Sequence, residues 1–154
     1  MVHSIAQILQ KAGQMGKMRT IAVAAAHDEA VLQAVVEARR QGIAHSILCG
    51  KEPVIREMLE QLGEIASDYT ILPAESDMDC AASAVEAVRE GRADFLMKGL
   101  LGTGTLMRAV VDREKGLRTG RLVSHVMLKK SAPVKLFYAI RSFPLQTNRS
   151  LPRN

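Results

Sequence analysis

Strand-length runs of unbroken apolar residues, each followed by a stretch of helical periodicity, recur along this chain, and that alternation constrains its fold more than any other feature. Residues 19–26 (Arg-Thr-Ile-Ala-Val-Ala-Ala-Ala) show no period-2 alternation, the mark of a strand buried on both faces. Asp28 is placed to cap the next helix, where Val31, Leu32, Val35 and Val36 repeat at helical spacing up to Gly42. The cycle then recurs. Residues 44–49 form a strand ending at Gly50, and Pro53 opens a helix that runs to Leu62 and closes at Gly63. Residues 69–72 form a strand stopped by Pro73, and Asp77 or Asp79 begins an Ala-rich helix through Val88 to Gly91. Residues 94–97 form a strand, residues 105–113 a helix and residues 122–128 a further strand. Ahead of all this, Ile5, Ile8, Leu9 and Ala12 mark a helix over residues 4–15, with Ser4 as cap and Gly16 as stop.

Alternating strands and helices with short connections predict a three-layer α/β fold, a mostly parallel sheet flanked by helices. Such a sheet takes its ligands beyond the carboxyl ends of its strands. With 154 residues the chain is one domain or one half of a larger enzyme. The apolar fraction of 47% suffices for a core, and only 3% aromatic residues makes that core aliphatic. So few aromatics also leave no stacking platforms for single-stranded nucleic acid.

The charge divides the chain in two. Against a whole-chain charge of +5, residues 129–154 carry six cations and no acid, which leaves residues 1–128 at −1. The body is nearly neutral, so the basic balance is no nucleic-acid footprint. Residues 1–128 read as the α/β body and residues 129–154 as a divergent basic tail; 134–140 has strand character, and poor order is expected from Arg141 onward. Cys49 and Cys80 lack metal-ligand spacing and read as buried apolar residues of a reducing compartment. There is no signal-type apolar segment and no run of membrane-spanning length, so the expected location is the cytoplasm, with no membrane partner. No protein-bound metal is expected.

The candidate chemistry lies in residues 93–108, where an apolar strand stops at Lys98 and a Gly/Thr-rich turn leads into a helix bearing Arg108. A cation, backbone amides, hydroxyls and a helix N-terminus gather at one edge, which suits a phosphate or another anion. Thr20-Ile21-Ala22-Val23-Ala24-Ala25-Ala26-His27-Asp28, the Met97-Lys98-Gly99-Leu100 turn, Thr105-Leu106-Met107-Arg108-Ala109-Val110 and Gly116-Leu117-Arg118-Thr119-Gly120-Arg121-Leu122-Val123-Ser124-His125-Val126 occur in that order. With these four segments the chain resembles the N-terminal half of the phosphate acetyl/butyryl transferase family, closest to its butyryl branch.

The resemblance implies acyl transfer between CoA and phosphate, acyl-CoA plus phosphate giving CoA plus acyl phosphate. It implies one half of the isocitrate/isopropylmalate dehydrogenase-like fold, with the site in an interdomain cleft. It implies acyl-CoA and phosphate as substrates and no tightly bound cofactor. Family members continue into a second half that carries an Asp thought to act as base and a Ser-Arg phosphate clamp. Neither is identifiable here, so the catalytic base is unassigned. A matched body followed by an acid-free tail points to a truncated or frame-shifted reading frame. A half-molecule of this kind would expose an apolar face and self-associate, so a homo-oligomer is expected.

The residues expected to meet substrate are Lys98, Gly99, Thr103, Thr105, Arg108, Arg118, Ser124 and His125, with His27 lining the CoA channel. Each has a plainer role beside that one. Lys98 is otherwise a solvated lysine, Thr103 or Thr105 a helix cap, and Gly99, Gly102 and Gly104 turn-formers. Arg108 is otherwise a surface residue pairing with Asp112 four positions on. Arg118 and Thr119 are otherwise loop polarity, and His125 a satisfied core histidine. Ser124 and His125 are adjacent in a strand and point to opposite faces, which argues against a nucleophilic dyad. The competing functions are an acyltransferase, a non-catalytic CoA- or phosphate-binding half-enzyme, and an interaction domain that docks its basic tail on an acidic partner.

Overall fold

In a computed structural model the described residues are 18–117, together with the backbones of 121–129 and 136–144. The helix expected over 4–15, the loop with Arg118 and Thr119, and residues 145–154 lie outside them. Six strands form one sheet: β1 (Arg19–Ala24), β2 (Ala44–Gly50), β3 (Thr70–Pro73), β4 (Phe95–Lys98), β5 (Arg121–Lys129) and β6 (Leu136–Pro144). Among the described residues four α-helices accompany them: α1 (Glu29–Arg40), α2 (Glu52–Gln61), α3 (Asp77–Arg89) and α4 (Thr103–Val111).

The sheet order is β3-β2-β1-β4-β6-β5. β1 to β4 pair in parallel, with Ala24 opposite both Cys49 and Lys98. β6 runs antiparallel between β4 and β5. The parallel part is thus the α/β core that the apolar runs predict. The chain returns through β6 as an antiparallel strand and sets β5 at the sheet's edge, one strand removed from β4. β6 continues to Pro144, past the point where the tail's composition predicts order to fade.

Both faces of the sheet are covered, which is why its strands read as unbroken apolar runs. Ala22, Ala24, Ile47, Cys49 and Leu96 pack against α3 and α4 through Cys80, Ala81, Ala84, Val85, Leu106 and Val110. Val23, Leu48 and Met97 pack against α1 and α2 through Val31, Leu32, Val35, Val36, Ile55 and Leu59. Fully buried leucines such as Leu32, Leu48 and Leu96 each contribute about 1.5–3 kcal/mol of burial free energy. The alanines of α3 and β1 let helix and sheet approach closely without aromatic bulk.

Local chemistry sets the helix ends. The Asp28 carboxylate accepts from the Val31 amide at 3.0 Å, as expected of a cap. α3 is capped by Ser76, whose hydroxyl oxygen accepts from the Asp79 amide at 3.1 Å; the two aspartates instead fill its first turn, where the helix dipole favours acids. Gly63 follows α2 at φ 77°, a conformation that favours glycine. α4 starts two residues earlier and stops two residues earlier than its periodicity predicts. Gly102 is its cap, and after Val111 the Asp112 carboxylate accepts from the Glu114 and Lys115 amides at 2.9 and 2.7 Å, turning the chain away.

Candidate functional site

Strand order reverses between β1 and β4, because the chain proceeds from β1 to β2 and β3 on one side and then returns to β1's other side as β4. A crevice at the carboxyl ends of two such strands is where open α/β sheets bind ligands. Lys98 is the last residue of β4 and is half-buried at this switch point. Its ammonium donates to the Gly99 carbonyl at 3.3 Å, and it has no carboxylate partner among the described residues.

The turn after Lys98 clings to the end of β1. The Gly99 amide donates to the Ala24 carbonyl at 2.8 Å, and the Leu100 amide to the Ala25 carbonyl at 2.8 Å. A side chain on Gly99 would place its Cβ 2.6 Å from the Ala24 oxygen and closer still to that of Ala25. This corrects the sequence expectation for Gly99: its amide is committed to β1 and is not free for an anion, and the glycine serves the close approach of two chain segments.

The free amides lie one turn further on. The amides of Thr103 and Gly104 open α4 and have no intrahelical acceptor. Gly102 supplies no capping side chain, and the first turn holds no acid. Neither threonine caps the helix: Thr103 is its exposed first residue, and Thr105 is half-buried two positions on. Gly104 has negative φ, and a Cβ there would meet nothing within 4 Å, so nothing within the protein requires glycine at this position. Arg108 stands four residues after Gly104 and three after Thr105, on their side of α4. Helical side chains slant toward the N-terminus, so an arginine at this position is within reach of the open first turn. The alternative pairing of Arg108 with Asp112 is not formed, since the Asp112 carboxylate is held by two backbone amides that keep it below its usual range.

His27 follows β1 at the same edge. Its Nδ1 is buried without a hydrogen-bond partner among the described residues. Ser124 and His125 lie elsewhere. His125 is level with Ile140 and, through it, with Leu96, two residues short of Lys98. With β6 between, β5 stands two sheet spacings from β4, about 9–10 Å. The backbone therefore does not bring Ser124 and His125 to the Lys98 tip. Ala25 and Gly50, both at the strand tips, were not legible in the sequence. Ala25 is an ordinary member of an alanine run and yet adopts φ 59°. Gly50 reads as a strand end, and only coordinates reveal that it abuts His27.

The opposite edge is built differently. A recess of about 270 Å³ lies there among Thr20, Arg39, His45, Tyr69 and Arg92. Its cations already have partners: Arg39 meets Glu64 at 3.3 Å and Asp68 at 3.5 Å, and Arg92 meets Glu90 at 2.9 Å. Glu64 also takes the Tyr69 hydroxyl at 2.9 Å and Arg40 at 2.7 Å. The Tyr69 hydroxyl, with help from Arg40 and Arg39, holds Glu64 below the ordinary glutamate value, while burial and then Glu64 push Tyr69 up to about 12. Cys49 and Cys80 are fully buried free thiols of one core layer; burial first and then Cys80 push Cys49 up to about 12. Among the described residues no helix is long and apolar enough to cross a membrane.

No family model matches the chain. It is 40% identical over 126 residues to a phosphate butyryltransferase of Clostridium acetobutylicum, a match covering 82% of this chain and 42% of that one. It is 44% identical over 108 residues to the phosphate butyryltransferase of Clostridium beijerinckii, covering 70% and 36%. The chain thus spans about two-fifths of the length of these relatives. A phosphotransacetylase structure from Streptococcus pyogenes superposes with a TM-score of 0.64 at 20% identity, over 87% of this chain and 51% of that one, which shows the fold. By these relationships the chain belongs, over the N-terminal part that it matches, to the phosphate acetyl/butyryl transferase family.

Proposed function

We propose that this chain provides the phosphate- and acyl-CoA-holding part of a phosphate acyltransferase, with butyryl-CoA or a similar short-chain thioester as acyl donor. A phosphate oxygen attacks the thioester carbon, the C–S bond breaks, and CoA leaves as thiolate and takes up a proton; acyl phosphate is the other product. Lys98, the amides of Thr103 and Gly104, the hydroxyls of Thr103 and Thr105, and Arg108 hold the phosphate dianion and orient it. A fixed cation and helix amides at this edge also favour negative charge on the tetrahedral intermediate. The observation that carries the reading is the open first turn of α4, which begins five residues after Lys98 at the switch point of the sheet.

No described residue is assigned as the base. Because the chain spans under half of its relatives, binding without turnover is the second reading. One experiment separates the two: CoA release from butyryl-CoA and phosphate by the 154-residue chain, alongside calorimetric titration with each substrate. Release above background supports transfer. Binding of phosphate or CoA without release supports a binding half. No binding of either contradicts both readings.

Leu100, Met107 and Val111 are exposed around α4, and Met107 and Val111 share one side of it at i, i+4 spacing. They support self-association, which concentration-dependent light scattering checks. The free thiols of Cys49 and Cys80 support a reducing compartment, the cytoplasm.

A further inference from the structure

Three features at the tip of β1 are hard to explain by packing alone. Ala25, fully buried, holds φ 59°, the only positive φ outside glycine among the described residues. An alanine pays for that conformation in strain, and such strain persists where the surroundings over-determine it. The surroundings here are visible: the Leu100 amide grips the Ala25 carbonyl at 2.8 Å, and the Ala26 amide then crosses to the Cys49 carbonyl at 2.9 Å. The chain therefore leaves β1 bound to the turn after β4 on one side and to β2 on the other within two residues. The next residue is His27, delivered against β2. There Gly50 has no side chain; a Cβ on it would lie 2.7 Å from His27 Nδ1, against 3.3 Å from Ile55 Cδ1 and 3.4 Å from the Ala26 nitrogen. The missing methyl makes the slot in which the imidazole stands. Nδ1 sits in that slot unpartnered, while the residue as a whole is only half-buried.

We propose that Ala25 and Gly50 are positioning residues for His27, turning the imidazole so that its Nε2 edge meets a phosphate oxygen of the ligand where that ligand extends from the β1–β4 crevice over the tip of β1 toward β2. This rests on the reading of that crevice as the phosphate and acyl-CoA site. A buried Nδ1 without a partner leaves Nε2 as the nitrogen that carries the polar contact, and the strands on either side of β1 end at Lys51 and Lys98, whose charges favour an anion over these tips. The phosphate oxygen belongs either to inorganic phosphate or to the phosphate groups of CoA, and separate titrations distinguish the two.

The test uses the full chain, with imidazole nitrogen resonances and calorimetric affinities followed against inorganic phosphate and against CoA. The expected result is a shift of the His27 Nε2 resonance with one of the two probes. For that probe, His27→Phe and Gly50→Ala weaken binding about tenfold, the size expected for one hydrogen bond to a charged group. Ala25→Gly is expected to raise Tm, because it relieves the positive-φ strain, and yet to weaken the same binding. A purely structural role for Ala25 cannot move stability and affinity in opposite directions. His27→Gln, which keeps a donor, is expected to retain more affinity than His27→Phe and needs no change at Gly50 if Gly50→Ala fails to fold. Wild-type binding with an unmoved His27 resonance, or with affinities unchanged in His27→Phe, overturns the proposal while the crevice stands. Loss of all binding in wild type overturns both.

Discussion

The two edges of the parallel sheet treat their charged groups differently, although each keeps one buried polar atom without a partner among the described residues, Ser46 Oγ at the amino edge and His27 Nδ1 at the carboxyl edge. At the amino edge, Arg39, Arg40, Glu64, Asp68 and Tyr69 satisfy one another, Arg39 stacks 5.0 Å over the Tyr69 ring, and the Thr20 amide donates to Asp94 at 3.0 Å. At the carboxyl edge, Lys98 has no carboxylate among the described residues, the first turn of α4 has no capping side chain, Gly104 lies bare without a steric reason, and His27 Nδ1 is orphaned. Buried or organised polar groups are normally paired. Where a fold pairs its cations with acids at one edge and leaves a cation without an acid at the other, the second edge is the better candidate for an anion from outside. The lesson is that a recess alone does not locate function: the amino edge has one, and its cations are already occupied.

Substitutions at the two edges sharpen this contrast. The largest effect is expected from Gly99→Ala, whose methyl would collide with the Ala24 and Ala25 carbonyls. Overpacking against rigid backbone is expected to destabilise the chain by about 3 kcal/mol or more, measured by urea denaturation. Next comes the amino edge: Glu64→Gln removes the negative charge that faces Arg40 and Arg39 and puts a donor in place of one of the two acceptor oxygens used by Tyr69, Arg40 and Arg39; it is expected to lower stability by about 1–3 kcal/mol without changing phosphate affinity. The same residue sets a pH dependence. Its carboxyl is held below the ordinary value of 4.5 in the folded chain, so the unfolded chain binds more protons near that value. Its stabilisation is therefore present above about pH 4.5 and is lost as pH falls through the lower folded value, and Glu64→Gln is expected to flatten that part of the acid denaturation profile.

Lys98→Met is expected to do the reverse of Glu64→Gln, weakening phosphate binding about tenfold with little change in Tm. If Lys98→Met lowers Tm and spares binding, the contrast between the edges is broken. The smallest effect is at Gly104. Gly104→Ala is expected to gain about 0.5–1 kcal/mol of helix stability and to weaken phosphate binding by crowding the first turn. Stability gained with affinity unchanged would mean that no ligand approaches there.

Much of this was legible in the letters. Unbroken apolar runs gave away strands covered on both sides, and Asp28 and Pro53 announced their helices. Lys98 was legible because a charge ending an apolar run must sit where the strand leaves the core. What stayed hidden depends on contacts distant in the chain. The insertion of β6 between β4 and β5 is a pairing choice that no local pattern encodes, and it separates His125 from Lys98. The commitment of the Gly99 amide depends on the path of β1 some 75 residues earlier. Ala25 has the composition of its neighbours, and its φ is imposed from outside by Leu100 and Cys49. Cys49 and Cys80, far apart in sequence, meet in one core layer because β2 and α3 do.

The central claim is that the open carboxyl edge, and not the paired amino edge, receives the phosphate. Amide chemical-shift mapping of the full chain during titration with inorganic phosphate tests it most directly. The account predicts saturable shifts at Thr103, Gly104 and Thr105 that are lost in Lys98→Met. Shifts confined to Thr20, His45 and Thr70 around the opposite recess would contradict it.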